Sequence, residues 1–344
     1  MKNRLLKKSF LLSFILIAFI CSCKKLSKKD DVTKENKITI GFSIDTLAIE
    51  RWRRDTDVFI ATAKELGANV IVQNAGNSVD EQIKQIQYLI DKNVDAIVVL
   101  AKKADALTEV ITNASAKNIP VISYDRLILN APIDLYVTID SEKVGELMAQ
   151  EILKKCPIGS LYCIYGPLDD FNMTMIRNGV EKVISGSQLR VGHIYYTDGW
   201  NYDLSYTHMC SLIRENKIPN AIICGNDALA DSVIQALMEL APESKVAISG
   251  QDADVVNCRH IINGRQTVMI YKPITELSKQ TAVFAVSLSK GNKVSDLAQV
   301  NATMNNGNKE VPCYLLEPVA VTKENIGSVI IDSGFHTREE IYSK

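Results

Sequence analysis

ITIGFSIDTLAIERWRRDTDVFIATAKELG, from Ile38 to Gly67, decides the fold of this chain. Its first part alternates apolar Ile38, Ile40, Phe42 and Ile44 with small residues, which predicts a central parallel strand covered by helices on both faces. The second part sets Trp52, Phe59, Ala63 and Leu66 at helical spacing and stops at Gly67, so it reads as a helix whose apolar face packs back on the strand. Asp45, Glu50, Arg51 and Trp52 sit where the strand's carboxyl end meets the helix. Open α/β sheets bind ligands at that edge.

The rest of the chain repeats the unit. Strand patterns ANVIVQNA, AIVVL, PVISYD and YVTID alternate with helix patterns at 79–92 and 104–117, giving one doubly wound half. A second half follows: helices at 142–155, 173–185, 202–216 and 228–240, with strands SLYCIYG, VGHIYYTDGW, AIICGND and KVAISGQDAD. A short helix to Asn263, strand TVMIYKP and a helix over 274–290 complete it. The prediction is an α/β protein of two Rossmann-like lobes with parallel sheets.

The apolar strand patterns end in polar or aromatic residues: Asp45, Asn74, Asp125 with Arg126, Asp140, Asp170 with Asn172, Asp198 with Trp200, Asn226 with Asp227, Gln251 with Asp252, and Lys272. Any one of these reads equally as a turn former or helix cap. Asp227 is as much an N-cap as a ligand, and Asp140 and Glu142 read as caps of the helix that follows. The series as a whole predicts two carboxyl edges facing one small polar molecule. The guanidinium forks of Arg51 and Arg126 donate to neighbouring hydroxyls, Asp125 and Asp252 accept, and Asn172 and Asn226 do both. Trp52 and Trp200, the two tryptophans of the chain, offer faces on which the C–H side of a pyranose stacks. Arg53 and Arg54 read as a solvated face.

Other chemistries fit poorly. The 39 basic and 40 acidic side chains leave a net charge of −1, without the basic excess that a nucleic-acid surface needs. The sequence holds no GxGxxG after a strand, no GxxxxGK[ST], no GxSxG and no HExxH. His193, His208, His260 and His336 lie away from the strand ends, and no close Cys/His spacing suggests a metal, so neither cofactor nor metal is expected. Lys272 beside Asp252 would serve a Schiff-base aldolase on a barrel, but about ten strands in two series do not make an eight-stranded barrel.

The chain opens with MKNRLLKK, an apolar run from Phe10 to Ile20, and ICSC. A basic region before eleven apolar residues fits a signal peptide and is too short to span a bilayer. The ICSC ending resembles a bacterial lipobox, which implies cleavage before Cys23 and lipidation of that residue. Residues 24–36 read as a solvated tether. Of the six later cysteines, Cys163 and Cys224 fall in apolar strand patterns as small buried hydrophobes.

ERW at 50–52, YDR at 124–126, EKVGEL at 142–147, TDGW at 197–200, ND at 226–227, VAISGQDAD at 246–254, YKPIT at 271–275 and DSGFH at 332–336 together resemble the periplasmic sugar-binding proteins of ABC importers. The likeness runs from about Lys37 to the end and is strongest to the members that take D-xylose. It implies two lobes closing on one pyranose, held by Arg51, Trp52, Asp125, Arg126, Asp170, Asn172, Trp200, Asn226, Asp252 and Lys272. GPLDDFN at 166–172 looks one residue longer than the family's stretch, so either Asp169 or Asp170 fills that position. The resemblance also implies a membrane permease as partner, a periplasmic location with the lipid anchor on Cys23, and no catalysis. Its lobes would be 37–138 plus 274–308 and 139–273 plus 309–344, with crossings near 138–140, 272–273 and 305–312. A lactose-repressor type of regulator shares the fold but carries a helix-turn-helix where this chain has the lipobox. A sugar sensor that presents its ligand to a membrane histidine kinase fits the same residues.

Overall fold

The computed structural model describes residues 37–343. The signal peptide, the lipobox with Cys23 and the tether lie outside the described residues.

The quoted stretch forms strand β1 (Thr39–Ile44) and helix α1 (Glu50–Glu65). Phe42 of the strand meets Phe59 of the helix at 4.7 Å between ring centroids, and both are fully buried. Gly67, with φ +84°, ends the helix in a conformation that a side chain would strain. Strand β1 pairs in parallel with β2 (Asn69–Asn74) on one side and β3 (Ala96–Leu100) on the other, which places it inside its sheet, one strand from the edge.

The first lobe continues through α2 (Val79–Asp91), α3 (Thr108–Ala116), β4 (Val121–Tyr124) and β5 (Leu135–Ile139). The chain then passes to the second lobe: α4 (Ser141–Lys155), β6 (Ile158–Tyr165), α5 (Phe171–Ile184), β7 (Gln188–Tyr196), α6 (Tyr202–Arg214) and β8 (Ala221–Cys224). Helix α7 (Asp227–Leu240), β9 (Ala247–Gln251), α8 (Val255–Ile262) and β10 (Val268–Tyr271) complete that run. Helix α9 (Ile274–Ser289) returns to the first lobe and packs on α1. Strands β11 (Ala302–Asn305) and β12 (Glu310–Leu316) follow it, then β13 (Val319–Val321) and α10 (Arg338–Tyr342) in the second lobe. The two sheets have the orders β11-β12-β5-β4-β3-β1-β2 and β13-β10-β9-β8-β6-β7. Both are parallel except at β11 and β13, which run antiparallel to β12 and β10.

The chain therefore changes sheets three times, at Ile139–Ser141, Tyr271–Ile274 and Leu316–Val319. The third change lies later than the 305–312 that the sequence suggested. Strand β12 pairs in parallel with β5, from Cys313 opposite Tyr136 to Leu316 opposite Ile139, so residues 310–316 belong to the first lobe. The β11–β12 hairpin escaped the sequence because its first strand is four half-exposed residues and its second carries Pro312, a residue that argues against an interior strand. The N–H of Asp140 donates to Leu316 O at 3.0 Å and ties two of the crossings together.

The six cysteines from Cys156 to Cys313 are free. Cys163 and Cys224 are buried in β6 and β8, and burial pushes both thiols above their ordinary value.

Candidate functional site

The ten residues Arg51, Trp52, Asp125, Arg126, Asp170, Asn172, Trp200, Asn226, Asp252 and Lys272 all line one cavity between the carboxyl edges of the two sheets. The space open to the centres of water molecules is ≈ 50 Å³, several times the ~10–15 Å³ that one water needs. That suits one small polar molecule.

The first lobe contributes four of the ten. Arg51 and Trp52 stand in the first turn of α1, and Asp125 and Arg126 follow β4 directly. Arg51 is 7% and Arg126 8% exposed, so these guanidiniums form the wall of the site and not its outer rim. Arg51 pairs with Asp125, and Arg126 with Asp45 at 2.5 Å. Both guanidiniums lie within cation–π reach of Trp52, at 4.3 and 5.5 Å from its ring centre. Burial alone would raise the Asp125 carboxyl, but Arg51, Lys272 and Arg126 outweigh it and hold the group below its ordinary value. Asp125 is therefore a charged acceptor, the form that takes hydrogen bonds from hydroxyls.

The second lobe presents two of its groups as helix caps and others from strand ends. Asp170 caps α5, accepting from the N–H groups of Asn172 and Met173, and Asn226 caps α7, accepting from Leu229 N–H. Asp252 follows β9 and pairs with Lys272, which follows β10. Trp200 ends a single 3₁₀ turn after β7. Its indole lies against Gly166, where an added Cβ would come within 2.5 Å of the ring, so the glycine makes the space that the ring fills. Asp125, Trp200 and Asp252 hold φ values of 60°, 60° and 102°. Such backbone is costly for a tryptophan and persists only where the surroundings impose it.

Side chains from the two lobes meet across the cavity. Asn172 Nδ2 donates to Asp125 Oδ1 at 2.9 Å, Arg126 Nε lies 3.3 Å from Asp170 Oδ2, and Arg51 lies 3.9 Å from Asp252. Trp52 Nε1 and Asn172 Oδ1 are buried without a hydrogen-bond partner among the described residues. Buried polar atoms are normally paired, so one donor and one acceptor stay unsatisfied on residues that line the cavity.

Several sequence expectations change. Of the two carboxylates in GPLDDFN, Asp170 lines the cavity and Asp169 lies outside it beside Leu168, Tyr196 and Asp198. Asp227 neither caps α7 nor lines the cavity: it is the first helical residue, fully buried, and accepts from Asp254 N–H at 3.1 Å and Gln266 Nε2 at 3.0 Å. Asp140 caps α4 through Lys143 N–H. Arg54 is only partly solvated, with its side chain 29% exposed. Its guanidinium stacks at 4.4 Å on Phe335 of the second lobe and donates to that residue's carbonyl at 3.2 Å. Trp52 is both a core residue, 5% exposed, and a wall of the cavity.

Sequence reasoning left out Asp55, although its Arg51-x-x-x-Asp55 spacing puts the pair on one helix face. It noted Asp45 and Gln251 without a role. Asp45 anchors Arg126, and Gln251, a further lining residue, donates to Gly225 O at 2.6 Å.

Residues 40–293 match a family described as periplasmic binding protein domain. A D-xylose-binding periplasmic protein of Haemophilus influenzae is 42% identical over 310 residues, 89% of this chain and 92% of that protein. Another of that description, from Escherichia coli, is 37% identical over 93% of this chain and 97% of its own length. An ABC transporter solute binding protein from Clostridium phytofermentans, solved with β-D-glucose bound, superposes with a TM-score of 0.81 at 29% identity, covering 88% of this chain and 99% of that one.

Proposed function

The chain belongs to the periplasmic binding protein domain family, and from that premise we propose that it captures one monosaccharide, D-xylose, between its lobes and hands it to the membrane permease of an ABC importer. The observation that carries the reading is the convergence of ten side chains from both lobes on one small cavity. They supply carboxylate acceptors, guanidinium and ammonium donors, two asparagine amides and two indoles, the set that ring hydroxyls and a pyranose face require. Neither lobe holds the whole set, so binding is linked to closure about the three crossings. The protein works in the periplasm and binds its sugar without chemistry. Lipidation of Cys23 would tether it to a bacterial membrane.

The preference for D-xylose rests on the curated relatives and on sterics. Xylopyranose is glucopyranose without the exocyclic hydroxymethyl group, so selection falls to the wall near ring carbon five. A hexose must press an extra polar group into a wall of buried side chains, and burying it unpaired costs roughly 1–3 kcal/mol, about ten- to hundredfold in affinity.

Calorimetric titration with D-xylose, D-glucose, D-ribose, L-arabinose and D-galactose tests both levels. Tightest binding of D-xylose is expected. Glucose binding as tightly would overturn the xylose assignment, and no binding by any of the five would overturn sugar capture itself.

A further inference from the structure

Beneath Arg51, outside the ring of lining residues, lies a carboxylate that the ligand set does not use. Asp55 sits one turn further along α1, is 2% exposed, and has its Oδ2 at 3.7 Å from Arg51 Nε. That is an ion-pair contact, too long for a direct hydrogen bond. The Tyr124 hydroxyl donates to the same Oδ2 at 2.7 Å, and Ser278 Oγ of α9 donates to the Asp55 backbone carbonyl at 2.5 Å. Asp55 Oδ1 has no hydrogen-bond partner among the described residues. The helix, the strand end and α9 thus hold a buried carboxylate directly under a site guanidinium, at the cost of an unsatisfied oxygen.

We propose that Asp55 is a positioning residue for sugar capture, holding Arg51 from below so that the guanidinium meets Asp125 and the ligand in one fixed orientation. Arg51 has rotatable bonds that Asp125 alone, at one end of the fork, does not freeze. A second anion on the Nε side fixes the plane of the fork, and the entropy of ordering it is then lost on folding and not again on binding. This role rests on the sugar-binding reading of the cavity.

Ionisation follows from the same placement. Arg51, Tyr124, Asp125 and Lys272 are the charged or titratable groups that act on Asp55. Burial pushes its carboxyl up to about 7, against the opposing pull of Arg51 and the Tyr124 hydrogen bond. As pH rises through that value the carboxylate forms, the hold on Arg51 tightens, and sugar affinity rises.

The test compares wild type, Asp55→Asn and Tyr124→Phe in D-xylose titrations from pH 5.5 to 8.5, with thermal melts at each pH. Asp55→Asn keeps the volume and an acceptor for Tyr124 but loses the charge. It is expected to bind about tenfold more weakly at pH 8, with the pH slope of the wild type flattened and thermal stability at pH 8 equal or higher. A merely structural residue would lose stability and affinity together and leave the slope unchanged. Tyr124→Phe removes a bond that favours the ionised form and should move the midpoint to higher pH. Unchanged affinity in Asp55→Asn, or an unchanged slope and midpoint in the two variants, would overturn the proposal. If the wild type binds none of the sugars, the proposed function fails, and ¹⁵Nε relaxation of Arg51 in the ligand-free protein decides the positioning claim separately. Increased Arg51 motion in Asp55→Asn supports it, and unchanged motion overturns it.

Discussion

The two sides of the cavity are built differently. On the first lobe, buried ion pairs make a grid in which Arg51 meets Asp125 and Asp55, and Arg126 meets Asp45. On the second lobe, Asp170 and Asn226 are helix caps whose orientation comes from the backbone N–H groups they accept. A grid of buried charges is set before the ligand arrives and fails when a fully ionised member such as Asp125 is removed, because its partner loses a counter-charge while staying buried. Asp55, raised to about 7 by burial, is the exception. A cap that also faces the cavity costs less to lose, since water and a neighbouring amide can replace it. With more of its charged groups braced within one lobe, the first lobe is expected to hold the sugar, and the second, whose own ion pair is Asp252 with Lys272, to close on it.

The largest effect should follow from breaking the grid. Asp125→Ala leaves Arg51 only its longer contacts to Asp55 and Asp252 and is expected to cost about 3–5 kcal/mol, shared between stability and binding. Titration should find D-xylose affinity reduced a hundredfold or more, and a loss under tenfold would break the asymmetry between the lobes.

Stability against pH comes next. Burial raises the carboxyls of Asp55 and Asp254 to about 7, with Asp252 adding to the shift of Asp254, and raises Asp227 well above its ordinary value. A carboxyl raised in the folded state binds more protons there than in the unfolded chain, so stability is greatest below about 4 for this term and is lost as pH rises to about 7. Thermal melts should show the midpoint falling across that window, by on the order of a few kcal/mol in stability, with Asp55→Asn removing part of the fall. A midpoint that rises steadily from pH 4 to 7 would contradict the burial argument.

On the closing side, Asp252→Ala removes a charged acceptor and should weaken binding by about 1.5–3 kcal/mol, less than Asp125→Ala in the same titration. Gly166→Ala pushes on the Trp200 indole and is expected to weaken binding by about 1–2 kcal/mol, seen together with a change in tryptophan fluorescence. The smallest effect belongs to Arg54→Ala, which removes the stack on Phe335 outside the cavity and should cost about 0.5–1 kcal/mol. Because that contact joins the lobes, the variant should release sugar faster by stopped-flow while its association rate stays near that of the wild type.

The two lobes also differ in what the sequence disclosed. The alternation of Ile40, Phe42 and Ile44 and the helical spacing of Trp52, Phe59 and Ala63 are local signals, and β1 and α1 form where they predict. The ten candidate residues, which line one cavity, are legible because many of them follow strand patterns and the resemblance assigns each one. Asp55 stayed hidden because a carboxylate four residues from an arginine looks like a surface ion pair until burial is known. Asp227 looked like a cap because its burial depends on Gln266 and Asp254, groups distant in sequence. The third crossing was misplaced because the pairing of β12 with β5 joins residues separated in sequence by the whole second-lobe run and leaves no local trace.

Small-angle scattering with and without saturating D-xylose, on wild type and on Asp252→Ala, tests the central claim that the first lobe holds and the second closes. The radius of gyration is expected to fall when sugar is added to the wild type, and to fall less in Asp252→Ala at a sugar concentration that saturates it. A wild-type radius unchanged by saturating sugar would contradict it.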